Sequence, residues 1–452
     1  MNIVSIFGSH DGCLTYIKNN KIIFHIQLDR YNKFKHTTYP TKEIIRILEN
    51  LDIDLFLLSH NRNHTLNIWM GFIFFNKKLK EIPVINYEDR YHHLFHAYCA
   101  LTWNKNYKNI LVCDGNGTLY KNSFEQESYF TFDNTLKHIT TESNKIGFKY
   151  EQFTRKNFDH ELDCGKTMAW SLYDKKPKAI QDAYEKEMTE LIDRWQLKDD
   201  VIFTGGCAQN VLYNSVLLDR FNNLFCDPFN GDFGLSLGSA NFYTNNSIIN
   251  NKIYLGVPQE INTDLFLKHK IIDVESDDVA KILLEEPVAI FQSRSEQGQR
   301  GLGNRSLLMN PIHKDAHSKL NQIKKREWFR PFACSVLKEK AKEWFEMIID
   351  ESPYMMYVFK IKKEKENILK AGLSIDSKSR IQTVSKDNNV NYYNLIKSFE
   401  KITDIPVLIN TSLNLPGDTL VETLDDLKYL FYNSNLNYIY LPEIKKLIKK
   451  HV

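Results

Sequence analysis

The opening stretch NIVSIFGSHDGCLTYIKNNKIIFHIQLD constrains the fold of this chain more than any other segment. Its β-branched and aromatic runs are separated by the polar segments SHDG and KNN, a pattern that predicts three strands joined by tight turns. The helical pattern TKEIIRILENL follows, then the short strand IDLFLLSH, and strands and helices alternate from there onwards. Such alternation predicts the α/β class.

Length and charge indicate a globular protein of more than one domain. The 452 residues exceed the size of a single domain, which is typically about 150 residues. An Asn-, Lys- and Asp-rich stretch between about 245 and 285 lacks periodicity, so we expect domains at 1–255 and 270–452. The net charge of only +3 argues against a uniformly basic nucleic-acid-binding surface, so contact with a polyanion would need a local patch.

The sequence also predicts a cytoplasmic protein without a membrane span. The chain opens as a strand and shows no signal-peptide pattern. The apolar run NIWMGFIFF is much shorter than the roughly 20 residues that a spanning helix needs. Seven scattered cysteines without a CxxC spacing indicate reduced thiols.

Two histidines in RYHHLFHAYCA suggest a metal site. On a helix His92 and His96 lie one turn apart on the same face, whereas His93 points elsewhere. Asp114 ends a predicted buried strand in VCDGNG, and Asp232 precedes a helix in NGDFG. Two imidazoles and two carboxylates suit iron, manganese or zinc. The alternative is a helical histidine pair without a ligand, together with two aspartates that cap turns.

Two glycine-rich segments are candidate anion sites. Gly205 and Gly206 in FTGGCAQN follow a strand and precede a helix whose amides could face a phosphate or adenosine, although tight packing explains them equally well. In GQRGLGNRS, glycines alternate with Arg300 and Arg305, so backbone amides and guanidinium groups can converge on an anion.

More cations and polar groups follow in the second half. The segment KKREWFR supplies Lys324, Lys325, Arg326 and Arg330. A solvated surface is the alternative, but the interleaved Trp328 and Phe329 and the following Phe332 imply that part of the run is held to a core.

A second group of polar residues comes later in the chain. It comprises Arg380 in SRIQTV and the polar strand end INTSLN, with Asn410, Thr411, Ser412 and Asn414. Such residues are typical of pocket linings and equally of plain turns. The cations of the second half and the His/Asp set of the first half together suggest that two cooperating sites bind an anionic small molecule.

In order along the chain, from about residue 3 to 440, a dozen motifs resemble those of the NodU/CmcH family of carbamoyltransferases. They are HDG, DRYNKFKH, HHLFHA, DGNG, GKTMAWSLYD, GGCAQN, NGDFGLSLGSA, EQGQRGLGNRSLLMNP, REWFRPFACSVL, SPYMM, RIQTV and PVLINTSLNLPGD. The resemblance implies an actin-like ATPase (TsaD-like) N-terminal domain followed by a YrdC-like α/β C-terminal domain. In that family the second domain makes carbamoyl-adenylate from carbamoyl phosphate and ATP, and the first transfers the carbamoyl group to an acceptor hydroxyl at a metal, usually Fe(II).

The resemblance also implies roles for individual residues. The metal ligands would be His92, His96, Asp114 and Asp232, with Asp232 acting directly or through the nucleotide or a water. The catalytic residues would be His10, as general base, and Lys35. Nucleotide would be bound by Gly205, Gly206, Asn210 and Lys166. Carbamoyl phosphate and ATP, with Mg(II) as a further candidate ion beside the ATP, would be bound by Arg300, Arg305, Lys324, Arg330, Arg380, Asn410 and Ser412.

The acceptor is less constrained than the chemistry. The chain is shorter than many family members, has HDG in place of HDS, and carries Cys207, Gln209 and Trp170 at positions where other residues are frequent. The primary prediction is an O-carbamoyltransferase acting on a sugar, a glycan or a secondary metabolite, with a homodimer as a possible state. The alternatives are the same chemistry on 5-hydroxymethylpyrimidine in phage-type DNA, and a non-catalytic actin-like nucleotide-binding protein.

Overall fold

The chain divides into two compact units, Met1–Leu255 and Gly256–Val452. The structure is a computed structural model, and the residues it describes are 1–60, 63–87, 91–120, 123–158, 160 and 162–451. Both units are built from sheets and helices, which confirms the predicted α/β class.

The first sheet of the N-terminal unit begins with the predicted meander. Its strands are β1 (Asn2–Phe7), β2 (Cys13–Lys18), β3 (Lys21–Gln27), β4 (Leu55–Ser59) and β5 (Val84–Tyr87). They lie in the order β3-β2-β1-β4-β5, with β2 antiparallel to its neighbours and with β1, β4 and β5 parallel. β1 and β4 are buried along their whole length, as expected for parallel strands covered on both faces.

The second sheet repeats this topology. Its strands are β6 (Asn109–Cys113), β9 (Glu127–Asp133), β10 (Thr135–Glu142), β11 (Asp200–Thr204) and β12 (Asn223–Cys226). They lie in the order β10-β9-β6-β11-β12 with the same pattern of directions. A small hairpin, β7 (Leu119–Tyr120) with β8 (Ser123–Phe124), is inserted between the first two strands. The duplicated sheet agrees with the predicted actin-like fold, although the sequence shows no internal repeat.

Nine helices belong to the described part of this unit. They are α1 (Asp29–Asn32), α2 (Lys42–Glu49), α3 (Asn63–Phe75), α4 (His92–Trp103), α5 (Ile146–Asn157), α6 (Cys164–Trp170), α7 (Lys175–Arg194), α8 (Val211–Leu217) and α9 (Leu235–Tyr243).

Helices α4 and α9 pack closely because α9 presents a glycine where the two backbones meet. A Cβ on Gly238 of α9 would lie 2.0 Å from the carbonyl oxygen of Phe95 on α4, so only glycine permits this approach. The other side of α9 is held to the first sheet, since Ser239 and Ser236 lie 2.7 Å, oxygen to oxygen, from Ser5 and Thr15 respectively. α4 is therefore fixed in the interior of the unit.

The C-terminal unit is organised around one nine-stranded sheet. Its strands are β13 (Lys270–Asp273), β14 (Val288–Phe291), β15 (Arg305–Met309), β16 (Ala333–Leu337), β17 (Val358–Lys360), β18 (Lys378–Val384), β19 (Val407–Ser412), β20 (Tyr438–Leu441) and β21 (Lys446–Lys449). Their order is β13-β21-β20-β14-β15-β19-β16-β18-β17. Its helices are α10 (Ser276–Leu283), α11 (Ala316–Lys324), α12 (Ala341–Trp344), α13 (Val390–Thr403) and α14 (Leu424–Tyr432).

One face of this sheet carries the main apolar core of the unit. Leu307 and Met309 of β15 and Ile409 of β19 pack there with Leu320 of α11 and Phe431 of α14. Among the helices of both units that the structure describes, none is long and apolar enough to cross a membrane.

Candidate functional site

The N-terminal unit brings His92, His96, Asp114 and Asp232 together, with one potential ligand atom from each within 4.8 Å of all the others. The histidines come from the first two turns of α4, Asp114 directly follows β6, and Asp232 precedes α9. Because α4 is buried, both imidazoles are inside the protein, and their Nε2 atoms lie 3.3 Å apart.

The carboxylate distances fit a bound cation. Asp114 Oδ2 lies 3.2 Å from His92 Nε2 and 3.1 Å from His96 Nε2. Asp232 Oδ1 lies 3.4 and 3.5 Å from the same two nitrogen atoms. Ligands held about 2.1 Å from a zinc-sized ion are roughly 3.0 to 3.4 Å from one another in octahedral or tetrahedral geometry. The donor set and its spacing therefore suit a divalent transition metal.

The glycines after β11 make room for one of these carboxylates. Gly205 has a φ of +87°, and a Cβ there would meet the Cys113 carbonyl oxygen at 2.2 Å. A Cβ on Gly206 would lie 2.7 Å from Asp114 Oδ1, the oxygen that accepts the Gly115 N–H. Any side chain at either position would disturb the turn that carries Asp114, so close packing explains the Gly-Gly pair.

Mutual attraction dominates the electrostatics of this cluster. Burial alone would lower the pKa of His92, but the Asp232 and Asp114 carboxylates outweigh it and raise that pKa well above its ordinary value. Burial likewise opposes ionisation of the carboxylates, yet the neighbouring histidines hold the pKa values of Asp114 and Asp232 below the usual range. A divalent cation can take the place of the protons on the two imidazoles.

His10 adds a third imidazole at the exposed end of the cluster. It lies in the turn after β1, with Nε2 3.0 Å from Asp232 Oδ2 and a side chain that is 45% exposed. A group bound near the cluster can therefore be reached by an imidazole that is also open to solvent.

Lys166 and Asn210 make contacts with residues outside that arrangement. Lys35 is exposed, and Lys166 pairs with Asp163 at 2.9 Å, nitrogen to oxygen. The Asn210 side chain accepts the Tyr213 N–H at the start of α8 and donates to Gln181. Asn210 therefore caps α8, and its predicted nucleotide role stays a prediction.

Sequence reasoning missed the pair formed by Asp11 and His36. His36 Nδ1 lies 2.7 Å from Asp11 Oδ1, and both side chains are about one fifth exposed. Burial alone would lower the pKa of His36, but the Asp11 hydrogen bond and charge outweigh it and raise that pKa. The pair joins the segment after α1 to the turn that carries His10, where the Gly12 N–H also donates to the Thr37 carbonyl. The only sequence signal was that both residues fall within motifs of the resemblance.

The C-terminal unit contains a second cluster, of opposite character. The guanidinium groups of Arg300, Arg326, Arg330 and Arg380 lie close enough to repel one another, and each side chain is partly exposed. Burial and the neighbouring arginines lower the pKa of Arg326 to about 9 and that of Arg380 to about 10. We call these four residues the guanidinium cluster.

One carboxylate lies within ion-pair distance of this cluster in the described ranges: Glu327, 3.5 Å from Arg330. Arg300 is carried by a tight segment before β15, residues 298–304, which we call the glycine loop. Four clustered cations with a single acidic neighbour form a site that an anion would stabilise.

Two predicted anion-binding cations are used inside the fold. Arg305 is completely buried, donates to backbone carbonyls that include those of Ser293 and Glu422, and lies 3.6 Å from the centre of the Phe291 ring. These contacts use the guanidinium inside the fold, so Arg305 has a structural role, and its predicted part in an anion site stays a prediction. The exposed-cation pattern of the sequence gave no sign of this burial.

Lys324 and Ser412 lie together beside Arg326. Lys324 is 2% exposed and donates to the carbonyl oxygens of Ser412 at 2.6 Å and Asn414 at 2.8 Å. Arg326 Nη2 donates to Ser412 Oγ at 3.3 Å. Lys324 therefore holds the end of β19 in place, and the hydroxyl of Ser412 is the part of this group in contact with the guanidinium cluster.

Comparison with known proteins finds a family model and several curated relatives that match part of the chain. Residues 279–449 match the family model described as the carbamoyltransferase C-terminus. The nodulation protein NolNO of Sinorhizobium fredii is 35% identical over 254 residues, which cover 52% of this chain and 37% of that protein. Nodulation protein U of Azorhizobium caulinodans is 31% identical over 225 residues, covering 48% and 40% of the two chains.

An uncharacterised protein of Methanocaldococcus jannaschii, MJ1051, is 32% identical over 261 residues, covering 54% of this chain and 50% of that protein. The chain thus spans about half the length, or less, of these three curated relatives.

Proposed function

We propose, since this chain belongs to the NodU-type carbamoyltransferase family, that it is an ATP-dependent O-carbamoyltransferase. The C-terminal unit would form carbamoyl-adenylate from carbamoyl phosphate and ATP: water would cleave carbamoyl phosphate to carbamate and inorganic phosphate, and a carbamate oxygen would then attack the α-phosphorus of ATP and displace pyrophosphate. The N-terminal unit would transfer the carbamoyl group to a hydroxyl of a sugar, a glycan or another metabolite. The observation that carries the proposal is the guanidinium cluster, which falls within the region matched by the carbamoyltransferase model.

The guanidinium cluster is suited to adenylate formation. ATP and carbamoyl phosphate repel each other, and negative charge develops further as pyrophosphate leaves. Four fixed guanidinium groups with one acidic neighbour offset that repulsion without having to reorganise. Arg326, which also contacts Ser412, and Arg380 are our candidates for the phosphate groups, and Arg300 completes the cluster from the glycine loop.

The N-terminal cluster supports the transfer step. His92, His96, Asp114 and Asp232 would hold a divalent metal, with Fe(II) as our first candidate. When bound, such an ion can act as a Lewis acid toward a carbonyl oxygen.

His10 would take the proton of the acceptor hydroxyl. An alcohol is a poor nucleophile until its proton is removed, and an imidazole can accept that proton near neutral pH. Asp232, 3.0 Å from Nε2, would orient the ring and stabilise it once protonated. The open side of His10 is where an acceptor would have to arrive.

The proposal is tested by incubating the protein with ATP, carbamoyl phosphate and Fe(II), and following pyrophosphate release and carbamoyl-adenylate by mass spectrometry. We expect both products without any acceptor. Offering sugars, glycans and hydroxymethylcytosine DNA in parallel then identifies the acceptor by a carbamoyl mass increase. If neither pyrophosphate nor the adenylate forms, the proposed function is wrong.

A further inference from the structure

Behind the guanidinium cluster lies a buried layer of polar side chains on three neighbouring strands. Gln382 of β18, Ser335 of β16 and Asn410 of β19 are all nearly inaccessible to solvent, with exposures of 3%, 0% and 1%. Ser335 is directly opposite Gln382 in the register of the sheet. Burying a polar group costs free energy unless it is hydrogen-bonded, so the hydrogen-bond partners of this layer show what it does.

The layer binds the backbone of the glycine loop. The Gln382 Nε2 donates to the Leu302 carbonyl oxygen at 2.7 Å, and the Asn410 Nδ2 lies 3.2 Å from that of Gly301. The Gln382 amide is itself held in one orientation, because its Oε1 accepts from Ser335 Oγ at 2.7 Å and lies 3.0 Å from Asn410 Nδ2.

The glycine loop has little freedom to choose another position. A Cβ on Gly301 would lie 2.8 Å from the Cα of Ser412, and one on Gly303 would lie 2.3 Å from the Tyr392 ring. Gly303 also has a φ of +111°, which other residues rarely adopt. The loop is therefore pressed against β19 and α13, with its carbonyls directed at the amides below.

Gln382 connects the elements that carry two neighbouring members of the guanidinium cluster. Side chains two apart on a strand project from the same face, so Gln382 and Arg380 of β18 lie on one side of the sheet. Gln382 donates to Leu302, two residues after Arg300. One buried amide thus joins the strand that carries Arg380 to the loop that carries Arg300.

We propose that Gln382 is a positioning residue of the anion site: its amide fixes Arg300 relative to Arg380 by holding the Leu302 carbonyl. The proposal rests on the proposed function and deepens it, since it names a group that touches no substrate but sets the spacing of two that do. Two guanidinium groups that repel each other would otherwise move apart whenever the site is empty.

Gln382→Met tests this inference, because methionine keeps the shape of the side chain but cannot donate to Leu302. We expect the KM for carbamoyl phosphate to rise about tenfold while kcat stays within about threefold of the wild-type value. We also expect the increase in melting temperature caused by pyrophosphate to shrink. Ser335→Ala, which loosens the Gln382 amide without removing its donor, should produce a smaller change of the same kind.

The matched control is Thr383→Val. Thr383 is the next residue on β18, is 2% exposed, and accepts the Ser352 N–H at 2.8 Å on the other face of the strand. This variant should lose a comparable amount of stability and retain the wild-type KM and pyrophosphate response. If a role in stability alone explains Gln382, the two variants will show the same KM and the same pyrophosphate response, and the inference is overturned.

Ser335→Ala keeps the inference testable if Gln382→Met does not fold, since an unchanged KM in that variant would equally overturn it. A wild-type protein whose melting temperature does not respond to pyrophosphate would instead refute the anion site itself, and with it the proposed function.

Discussion

The two charged clusters of this protein are organised in opposite ways. In the N-terminal unit imidazoles and carboxylates face one another, so the groups attract, and the four side chains are nearly buried. In the C-terminal unit four guanidinium groups face one another and repel, with Glu327 as the one acidic neighbour found among the described residues. Unlike charges can hold a cation site together by themselves, whereas like charges must be held by the surrounding fold.

This difference explains where each unit places its supporting contacts. The metal-type ligands need little beyond the buried helix α4 and two turns. The guanidinium cluster instead rests on a layer of buried amides and on Lys324, which secures the end of β19. The comparison leads to four predictions, ordered from the largest expected effect to the smallest.

The largest effect should come from removing one cation of the guanidinium cluster. Arg380→Ala should lower the rate of carbamoyl-adenylate formation by about 100- to 1000-fold, the usual cost of losing one preorganised charge-stabilising donor. Pyrophosphate release measures this rate. Lys378→Ala removes a half-exposed cation from the same strand, paired with Asp376, and should leave the rate unchanged. Weaker metal binding in Arg380→Ala would contradict the hypothesis that the two clusters act independently.

Removing a ligand from the other cluster should affect the metal alone. His96→Ala should weaken binding of Fe(II) or Mn(II) by at least about 100-fold, since changing a residue that only hydrogen-bonds to a metal ligand already costs about 10- to 100-fold. Titration calorimetry under anaerobic conditions measures the affinity. His93→Gln changes the adjacent imidazole, which bonds to Ser128 and not to the cluster, and should bind metal normally. Loss of adenylate formation in His96→Ala would contradict the proposed division of labour.

The general base should affect transfer but not adenylate formation. His10→Gln should slow carbamoyl transfer to the acceptor by about 100-fold, a typical contribution of general-base catalysis. Its rate of pyrophosphate release in the absence of acceptor should equal that of the wild type. Both rates can be read from one time course by mass spectrometry. If both rates fall equally, His10 has a structural role in the protein and is not the general base of the transfer step.

The smallest effect concerns a histidine that belongs to neither cluster. His25 is completely buried, and burial, aided by Arg30, lowers its pKa to about 3. The unfolded chain takes up a proton on this residue as the pH falls through about 6.5, while the folded protein does not, so stability is lost between about pH 6.5 and 3. At about pH 5 the loss should be about 2 kcal/mol.

His25→Gln should remove that pH dependence, as measured by urea unfolding at about pH 7.5 and about pH 5. The exposed His451 provides the control, since His451→Gln should retain the wild-type slope. If His25→Gln shows the wild-type slope as well, His25 does not stay neutral in the folded protein.

The sequence was most informative where local rules act directly. Helical spacing correctly put His92 and His96 on one face of α4, and the ends of apolar runs correctly put Asp114 at the end of β6. The residues alone left the convergence of these elements open, because helical periodicity gives no distance between residues more than 100 positions apart, such as Asp114 and Asp232. The family resemblance then favoured it.

Burial and long-range pairing were beyond the reach of the sequence. Arg305 and Arg300 look alike in the segment GQRGLGNRS, yet one is enclosed by backbone carbonyls and the other is partly exposed. The strand topology of the N-terminal unit is duplicated without a detectable repeat, since many different apolar residues satisfy the same strand. The Asp11–His36 pair joins two turns whose contact depends on the whole meander.

The small hairpin β7–β8 makes the two halves of the N-terminal unit unequal in one respect. The corresponding turn of the first sheet, between β1 and β2, has no such insertion. The hairpin is closed at its base by Thr118, whose carbonyl accepts the Glu125 N–H at 2.8 Å and whose hydroxyl donates to the Glu125 carboxylate at 2.7 Å. This closing pair insulates the Asp114 turn from the hairpin: because the Asp114 N–H is held separately by the Gln126 carbonyl, we expect the turn to keep its position when the length of the hairpin changes.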